Sequence, residues 1–467
     1  MTNQLSKAIL VGIAGSNNAF SLSLYNLKAF AYNVPEIRAK WDLSIIQHPL
    51  INVNRKDIEI PPLVSRIVES KPSLVGFSCY MWNVNVFNEI AKALRERIPD
   101  TKIIWGGSEM SSDFLLQGKF DKFEMDFCVS GEGEVTFLEF LKNQSFGVPE
   151  ISSIPGLAYR DHSSGPFKIN SKREALEVLH DVPSPFLTGV VDDEVLLRPK
   201  IEANIETQRG CNLRCSYCTY HKDMNSITYS SLDRVVSEVV FLVNKGVKRV
   251  RFVDANFSSD LNYAKEIIRA FIEKQFELRL MFELIPGFID EELAALFEEF
   301  SCLHEFNDIT LGVGVQSIKL DTNKAMRRGI KIEKFNYTFN LIKKHNLFAK
   351  IDLIIGLPGE DLIDIEASLE YMMETVRFGQ GHLLCFHVLR GLPGTELLEI
   401  ARKNNMTFSS EHEPHVFIES PDLPRKDMLK CLRRTAVVFR LTNHRGWAGR
   451  EFISERKSED VNIRDAF

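Results

Sequence analysis

The run Cys211-Asn212-Leu213-Arg214-Cys215-Ser216-Tyr217-Cys218 sets three cysteines at C-x3-C-x2-C spacing, directly after the strand-like stretch 201–207. Three thiolates bind three irons of a cubane cluster and leave the fourth without a protein ligand. An open metal position is where a small molecule coordinates and reacts, as catalytic zinc sites also show. Other uses of cysteine fit less well. Zinc would suit two C-x2-C pairs, and the sequence has no second pair. A thioredoxin-like motif needs two cysteines in a different strand–helix setting. Eight cysteines in 467 residues are not a secreted disulfide framework.

Strand–helix alternation surrounds this run. Strands are predicted at 201–207, 247–254, 278–284, 309–315, 349–355 and 383–389, with helices near 231–245, 261–275, 290–300, 320–327, 332–345 and 364–377. Six such units make an open, partial (β/α)6 version of the eight-fold barrel, spanning 201–395. Chemistry in such barrels collects at the carboxyl ends of the strands, where the cysteines fall.

Residues 1–145 alternate on a shorter period. Strands are expected at Lys7–Ala14, Asp42–Gln47, Ser73–Cys79, Thr101–Gly106 and Asp126–Val129, with helices at Phe20–Ala31, Pro62–Ser70, Asn83–Arg97 and Glu134–Leu141. Val84, Phe87, Ile90, Ala91 and Leu94 share one helix face. This is a doubly wound, flavodoxin-like (Rossmann-type) α/β domain, whose ligands sit at strand ends near the switch point. Prolines 149, 155, 166, 183, 185 and 199 mark 146–200 as a connector with no long helix and a short strand at 154–159. Residues 396–467 form a small, mostly helical C-terminal region with a helix near 426–441. Arg433 and Arg440 there read as a solvated face, and the arginines and Trp447 as candidates for an anionic or aromatic acceptor.

The cysteine run, with Gly210 before it and Tyr217 before its last cysteine, resembles the cluster motif of the radical S-adenosylmethionine (SAM) enzymes. Three strand ends of the first domain, Gly76–Asn83, Trp105–Glu109 and Val129–Glu134, together resemble the cobalamin (B12)-binding domain that precedes many radical SAM barrels. Ser78 and Gly106, 28 positions apart, fit that domain's serine and double glycine. Paired glycines let backbone approach a flat ligand. The resemblance implies that Ser78, Tyr80, Trp82, Asn83, Gly106, Gly107, Gly131, Glu132 and Gly133 meet the cobalamin. One departure stands out: the first strand ends Gly12-Ile13-Ala14-Gly15-Ser16-Asn17-Asn18, without the Asp-x-His-x-x-Gly whose histidine binds cobalt, and His48 lies elsewhere. The cobalt's lower face is therefore expected to lack histidine, with Tyr80, Trp82 and Asn83 close by. The competing reading is a flavodoxin-like domain that binds no cofactor.

The resemblance continues through the barrel. It places Cys211, Cys215 and Cys218 on a 4Fe-4S cluster. It brings Tyr217, Asp254, Asn256, Glu283, Gln316, Arg328 and Gly356 to SAM, with Glu283 suited to ribose hydroxyls and Arg328 to the carboxylate through its planar fork. Val388–Thr395 resembles the Leu-Pro-Gly-Thr turn of cobalamin-type members. Plainer readings compete: Asp254 as a helix cap, Glu283 as a surface carboxylate, Arg328 as an exposed salt-bridge partner. Cys79, Cys128, Cys302 and Cys385 read as packing residues; Cys431, on a predicted helix with no second cysteine nearby, argues against an auxiliary cluster, and His412 with His415 reads as no metal site.

Composition narrows the class. The net charge of −6 offers no basic stripe for nucleic acid, and no apolar run reaches the roughly 20 residues needed to span a bilayer. The N-terminus carries no signal-peptide pattern, so a cytoplasmic setting is expected. The resemblance implies a small-molecule or peptide substrate and a reducing partner such as flavodoxin or ferredoxin. It also implies methylation of an unactivated carbon through a 5′-deoxyadenosyl radical and methylcobalamin. No catalytic side chain is assigned. The rivals are a cobalamin-assisted cyclisation, ring contraction or rearrangement, and a non-catalytic cobalamin and cluster-binding regulator.

Overall fold

The computed structural model describes residues 5–443 apart from 15–19, 50, 52–55, 161–164, 221–223, 225, 377–381 and 410–414. In the first domain, β1 (Ser6–Ala14), β2 (Trp41–Pro49), β3 (Leu74–Ser78), β4 (Lys102–Gly106) and β5 (Phe127–Val129) form a parallel sheet in the order 2-1-3-4-5. β1 and β3 pair directly although β2 lies between them in sequence, so the switch point falls at their carboxyl ends. β1 is buried on both faces, as a central parallel strand must be. The helix Val84–Arg97 buries Val84, Phe87, Ile90, Ala91 and Leu94, the face expected from its periodicity.

Two features go beyond the sequence reading. The helix expected at Pro62–Ser70 begins at Lys56, so Pro61 and Pro62 lie inside it. The connector lengthens the sheet, because β6 (Leu157–Tyr159) adds antiparallel to β5 and β7 (Lys168–Ile169) antiparallel to β6. The first sheet thus has seven strands, two of them contributed from beyond residue 145.

The second sheet runs β8 (Ala203–Ile205), β11 (Arg249–Phe252), β12 (Arg279–Leu284), β13 (Asp308–Gln316), β14 (Phe348–Ile355) and β15 (Leu383–Val388), all parallel and in sequence order. Between β8 and β11 lies a small antiparallel ribbon of β9 (Gln208–Arg209) and β10 (Thr228–Tyr229). Helix starts are set by side chains that accept orphan backbone N–H groups: Ser231 from Arg234, Asp260 from Asn262 and Tyr263, and Asp290 from Leu293. Phe20 and Tyr25 of the first domain stack on each other, and Phe20 also on Phe186 of the connector, within the barrel's hydrophobic core. The connector thus joins the core it was expected only to drape over. No helix among the described residues is long and apolar enough to cross a membrane.

Candidate functional site

The cysteine loop is strung across the β9–β10 ribbon and enters through Gly210, whose φ of 103° favours glycine. A Cβ there would also stand 3.1 Å from the Ser226 carbonyl oxygen. Beyond it the loop is pinned twice, by Ser216 N–H to Met326 O (3.0 Å) and Leu397 N–H to Ser216 O (2.9 Å). Cys211, Cys215 and Cys218 form no disulfides. Burial pushes the Cys218 thiol up to about 11, with Cys215 and Cys211 close enough to add to the rise. Among the described residues no three His, Cys, Asp or Glu side chains are gathered as a metal site. The donor set still fits an iron–sulfur cluster: three soft thiols in one pinned loop beside a cation, which the cluster itself would draw together.

That cation is Arg328. It is buried, and its Nη1 donates to Cys215 Sγ (3.6 Å) and Tyr217 Oη (3.3 Å), while Nη2 donates to the Gly314 carbonyl. Burial works against its charge, and Tyr217 and Cys215 hold it on. Gln316 closes β13 at a bulge with φ of 66°, and its buried Oε1 finds no hydrogen-bond donor. Gln316 thus combines a left-handed backbone with an orphan buried acceptor at a strand end.

Asp254 and Asn256 serve the scaffold beneath the loop. Asp254 accepts from Thr207 N (2.8 Å), Thr207 Oγ1 (2.6 Å) and Gln208 N (3.0 Å), clamping the chain just before the cysteines. Its burial raises its pKa to about 7 against those hydrogen bonds. Asn256 accepts from Ile285 N (3.0 Å), and its carbonyl takes the Gln208 amide (2.6 Å). Glu283 is half-buried opposite Gly312, which leaves room for its carboxylate, and it accepts from Arg251 (3.1 Å). Gly356 (φ 92°) is capped by Phe417, so the C-terminal region packs on that turn.

In the first domain, Ser78, Tyr80, Gly106, Gly107, Gly131 and Gly133 line a cavity of about 150 Å³ running between β1, β3, β4 and β5. Gly107 (φ 109°) is needed by protein as much as by any ligand. A Cβ there would collide with the Cys79 carbonyl and stand 2.8 Å from its nitrogen, and Cys79 N–H bonds Gly106 O at 2.6 Å. Asn83 is buried and ties two strand ends together, donating to Ser78 O (3.1 Å) and Ile13 O (3.5 Å) while its Oδ1 accepts from Tyr80 N (2.8 Å). Tyr80 and Trp82 stack at 4.5 Å and 3°, and Trp82 is 48% exposed, so the pair offers a flat aromatic platform at the β3 end. His48 sits on the edge strand β2, bonded through Nδ1 to Pro49 O.

The two sheets meet at these ends. A second cavity, about 320 Å³, has Gly107, Ser108 and Gly131 on one wall and Gly210, Tyr220 and Val253 on the other. Arg209, unmarked by the sequence reading, holds this junction. It donates to Glu132 (2.8 Å) and Glu134 (2.6 Å) of the first domain and lies 3.0 Å from Glu206. Glu132, expected at the cobalamin, also accepts from Leu176 N (2.6 Å), so its carboxylate joins domain to connector and barrel. Also missed was a polar group on the barrel strands: His387 bonded to Asp352 (2.8 Å), which pairs with Lys350 (3.1 Å). Cys385 is half-buried near Asp352 and Lys350, and Cys302 is exposed on its helix, so neither is the buried packing residue expected of it. His412 and Trp447 lie outside the described residues.

Fold and site define a two-domain α/β protein in which a strand-end ligand domain faces a partial barrel carrying a three-cysteine loop. The B12-binding domain family matches residues 38–141 and the radical SAM superfamily 205–372. The chain thus carries a B12-binding domain followed by a radical SAM domain. It is 28% identical over 367 residues to the cobalamin-dependent radical SAM methyltransferase TokK of Streptomyces tokunonensis, covering 74% of this chain and 50% of that one. It is 24% identical over 413 residues to 2-(S-pantetheinyl)-carbapenam-3-carboxylate methyltransferase of Streptantibioticus cattleyicolor, covering 85% and 57%. The chain thus spans little more than half the length of these relatives. The solved structure of the methyltransferase TsrM of Kitasatospora setae superposes with a TM-score of 0.65 at 20% identity, over 86% of this chain and 77% of that one, and shares the fold.

Proposed function

We propose that this protein is a cobalamin-dependent radical SAM enzyme that methylates an unactivated carbon of a small-molecule or peptide acceptor. The observation that carries this reading is the shared cavity between the strand ends of both domains, walled by Gly107 and Gly131 on one side and by Gly210 and Tyr220 of the thiol loop on the other. Two cofactor-binding surfaces that open on one chamber suit a reaction that needs both.

In this reading Cys211, Cys215 and Cys218 hold a 4Fe-4S cluster, leaving one iron for SAM. Arg328 keeps a fixed positive charge against Cys215 and Tyr217. Gln316, with its unsatisfied Oε1, and Glu283 face the SAM side. Ser78, Gly106 and Gly107, lining the 150 Å³ cavity, and the Tyr80–Trp82 platform would hold the cobalamin. SAM supplies a hydrogen-abstracting radical and cobalamin a transferable methyl group; the protein sets distances and excludes water. Flavodoxin or ferredoxin is the reducing partner, and the setting is cytoplasmic.

The test is an anaerobic incubation with SAM, reductant, cobalamin and candidate acceptors, read by product mass. Methylation adds one carbon per turnover. A product with unchanged carbon count would replace this reading with a radical cyclisation, ring contraction or rearrangement.

A further inference from the structure

A third cavity, larger than the two described above, shares no lining residue with them. It has a volume of about 550 Å³ and lies between the first domain and the C-terminal region. That is the size of a typical small-molecule pocket. Its first-domain wall is the short helix Ser112–Leu116 and the turn after it, which contribute buried Phe114 and Phe120. Its other wall carries Phe408 and Arg402. The floor is therefore aromatic.

The rim is cationic. Lys119 holds its ammonium 3.6 Å over the centre of the Phe114 ring. Partial desolvation against that ring draws its pKa down, Glu109 draws it up, and Arg402 pushes it down again, so both Glu109 and Arg402 lie within its electrostatic reach. Among the described residues neither Lys119 nor Arg402 forms a salt bridge. The one acid among the described lining residues, Glu109, is 2% exposed, and its Oε1 is paired with His415 Nε2 at 3.0 Å. Two cations at the mouth of an aromatic cleft, whose one acid among the described lining residues is shared with His415, are stabilised further by an anion from outside the chain. The aromatic floor adds the requirement for a flat apolar body.

We propose that this cleft binds a small amphipathic anion, an aromatic or flat apolar body ending in a phosphate or carboxylate. The head lies between Lys119 and Arg402, and the body lies against Phe114, Phe120 and Phe408. The inference does not depend on the methyl-transfer reading, because neither cofactor domain's cavity contributes a residue. The site gives the C-terminal region a ligand of its own, held jointly with the first domain.

The experiment is calorimetric titration of the full-length protein with phenyl phosphate and with benzoate, using phenol and inorganic phosphate as controls. The double variant K119M/R402M keeps the apolar stems over the aromatic floor while removing both charges; both residues are exposed, so the fold is retained. The expected result is that at least one aryl anion binds about tenfold or more tighter than phenol and than inorganic phosphate. The double variant should lose about tenfold or more of that affinity, the scale of one charge-assisted contact. Which of the two aryl anions binds tighter identifies the head group. Absence of aryl-anion binding, equal binding of either control, or binding unchanged in K119M/R402M would overturn the proposal.

Discussion

Replacing Arg209 with Met strands three carboxylates at the junction of the domains. The side chain of Arg209 is 11% exposed, and those of Glu134, Glu132 and Glu206 are 8%, 20% and 23% exposed. All four are well below the exposure at which solvent screening makes an ion pair worth little. Burial already pushes the Glu206 carboxyl up, and Arg209 is what opposes it. Removing one partner from a buried ion pair costs about 3–5 kcal/mol, mostly as the uncompensated charge left behind. Partial exposure of Glu132 and Glu206 places Arg209→Met near the lower end, about 3 kcal/mol, or roughly a hundredfold in the docking equilibrium. The readout is tryptic cleavage at Lys172 and Arg173, a segment held to the first domain by Arg173 on Thr136 (2.7 Å) and by Leu176 on Glu132. When opening is fast, cleavage tracks the open population, so the rate at that segment should rise by about two orders of magnitude. The triple variant R209M/E132Q/E134Q removes two of the stranded charges and should recover most of the protection. Cleavage of R209M within threefold of the parent, or a triple variant no better protected than the single one, would refute the reasoning.

Other consequences follow from single positions. Gly107→Ala forces a side chain into the Cys79 backbone at a φ of 109°, which costs about 1–3 kcal/mol in strain before the clash; cobalamin retained after gel filtration should fall about tenfold while iron content stays unchanged. Asp254 carries a pKa raised to about 7, so between about 4, where it ionises in the unfolded chain, and about 7 the folded state holds an extra proton and stability falls as pH rises. Asp254→Asn keeps both accepted N–H bonds but cannot ionise, so its urea midpoint should change less between pH 5 and pH 7.5 than the parent's; equal slopes would contradict this. Trp82→Ala should alter the absorption spectrum of bound cobalamin and His48→Ala should leave it alone, and a spectrum changed by the His48 substitution instead would return the lower face to histidine.

What the sequence made legible was local. The three cysteines and their glycine lie within nine residues, and the strand ends carry their chemistry in consecutive positions, so both domains were recognisable from short runs. What it hid was built by distance along the chain. Arg209 meets carboxylates 75 and 77 residues away, and nothing near the cysteine motif announces them. Gly107 reads as an opening for a ligand, yet its steric reason is the backbone of Cys79 on the neighbouring strand. Asp254 reads equally as a helix cap or a cofactor contact, and only the fold shows its three hydrogen bonds going to Thr207 and Gln208. Lys350, Asp352 and His387 alternate with apolar neighbours along β14 and β15, so periodicity gives their spacing and not their common purpose. Cys302 sits in an apolar run, but helical spacing turns it outward.

The central claim is that one chain joins a radical-generating cluster to a bound cobalamin. Its most direct test is an anaerobic assay of the reconstituted full-length protein, with about four irons and one cobalamin bound, incubated with SAM and reductant beside the Cys215→Ala variant. The account predicts 5′-deoxyadenosine from the parent and none from the variant, and, once the acceptor is supplied, S-adenosylhomocysteine formed in step with methylated product. SAM cleavage by Cys215→Ala at the parent's rate, or abundant 5′-deoxyadenosine with no acceptor-dependent S-adenosylhomocysteine, would contradict it.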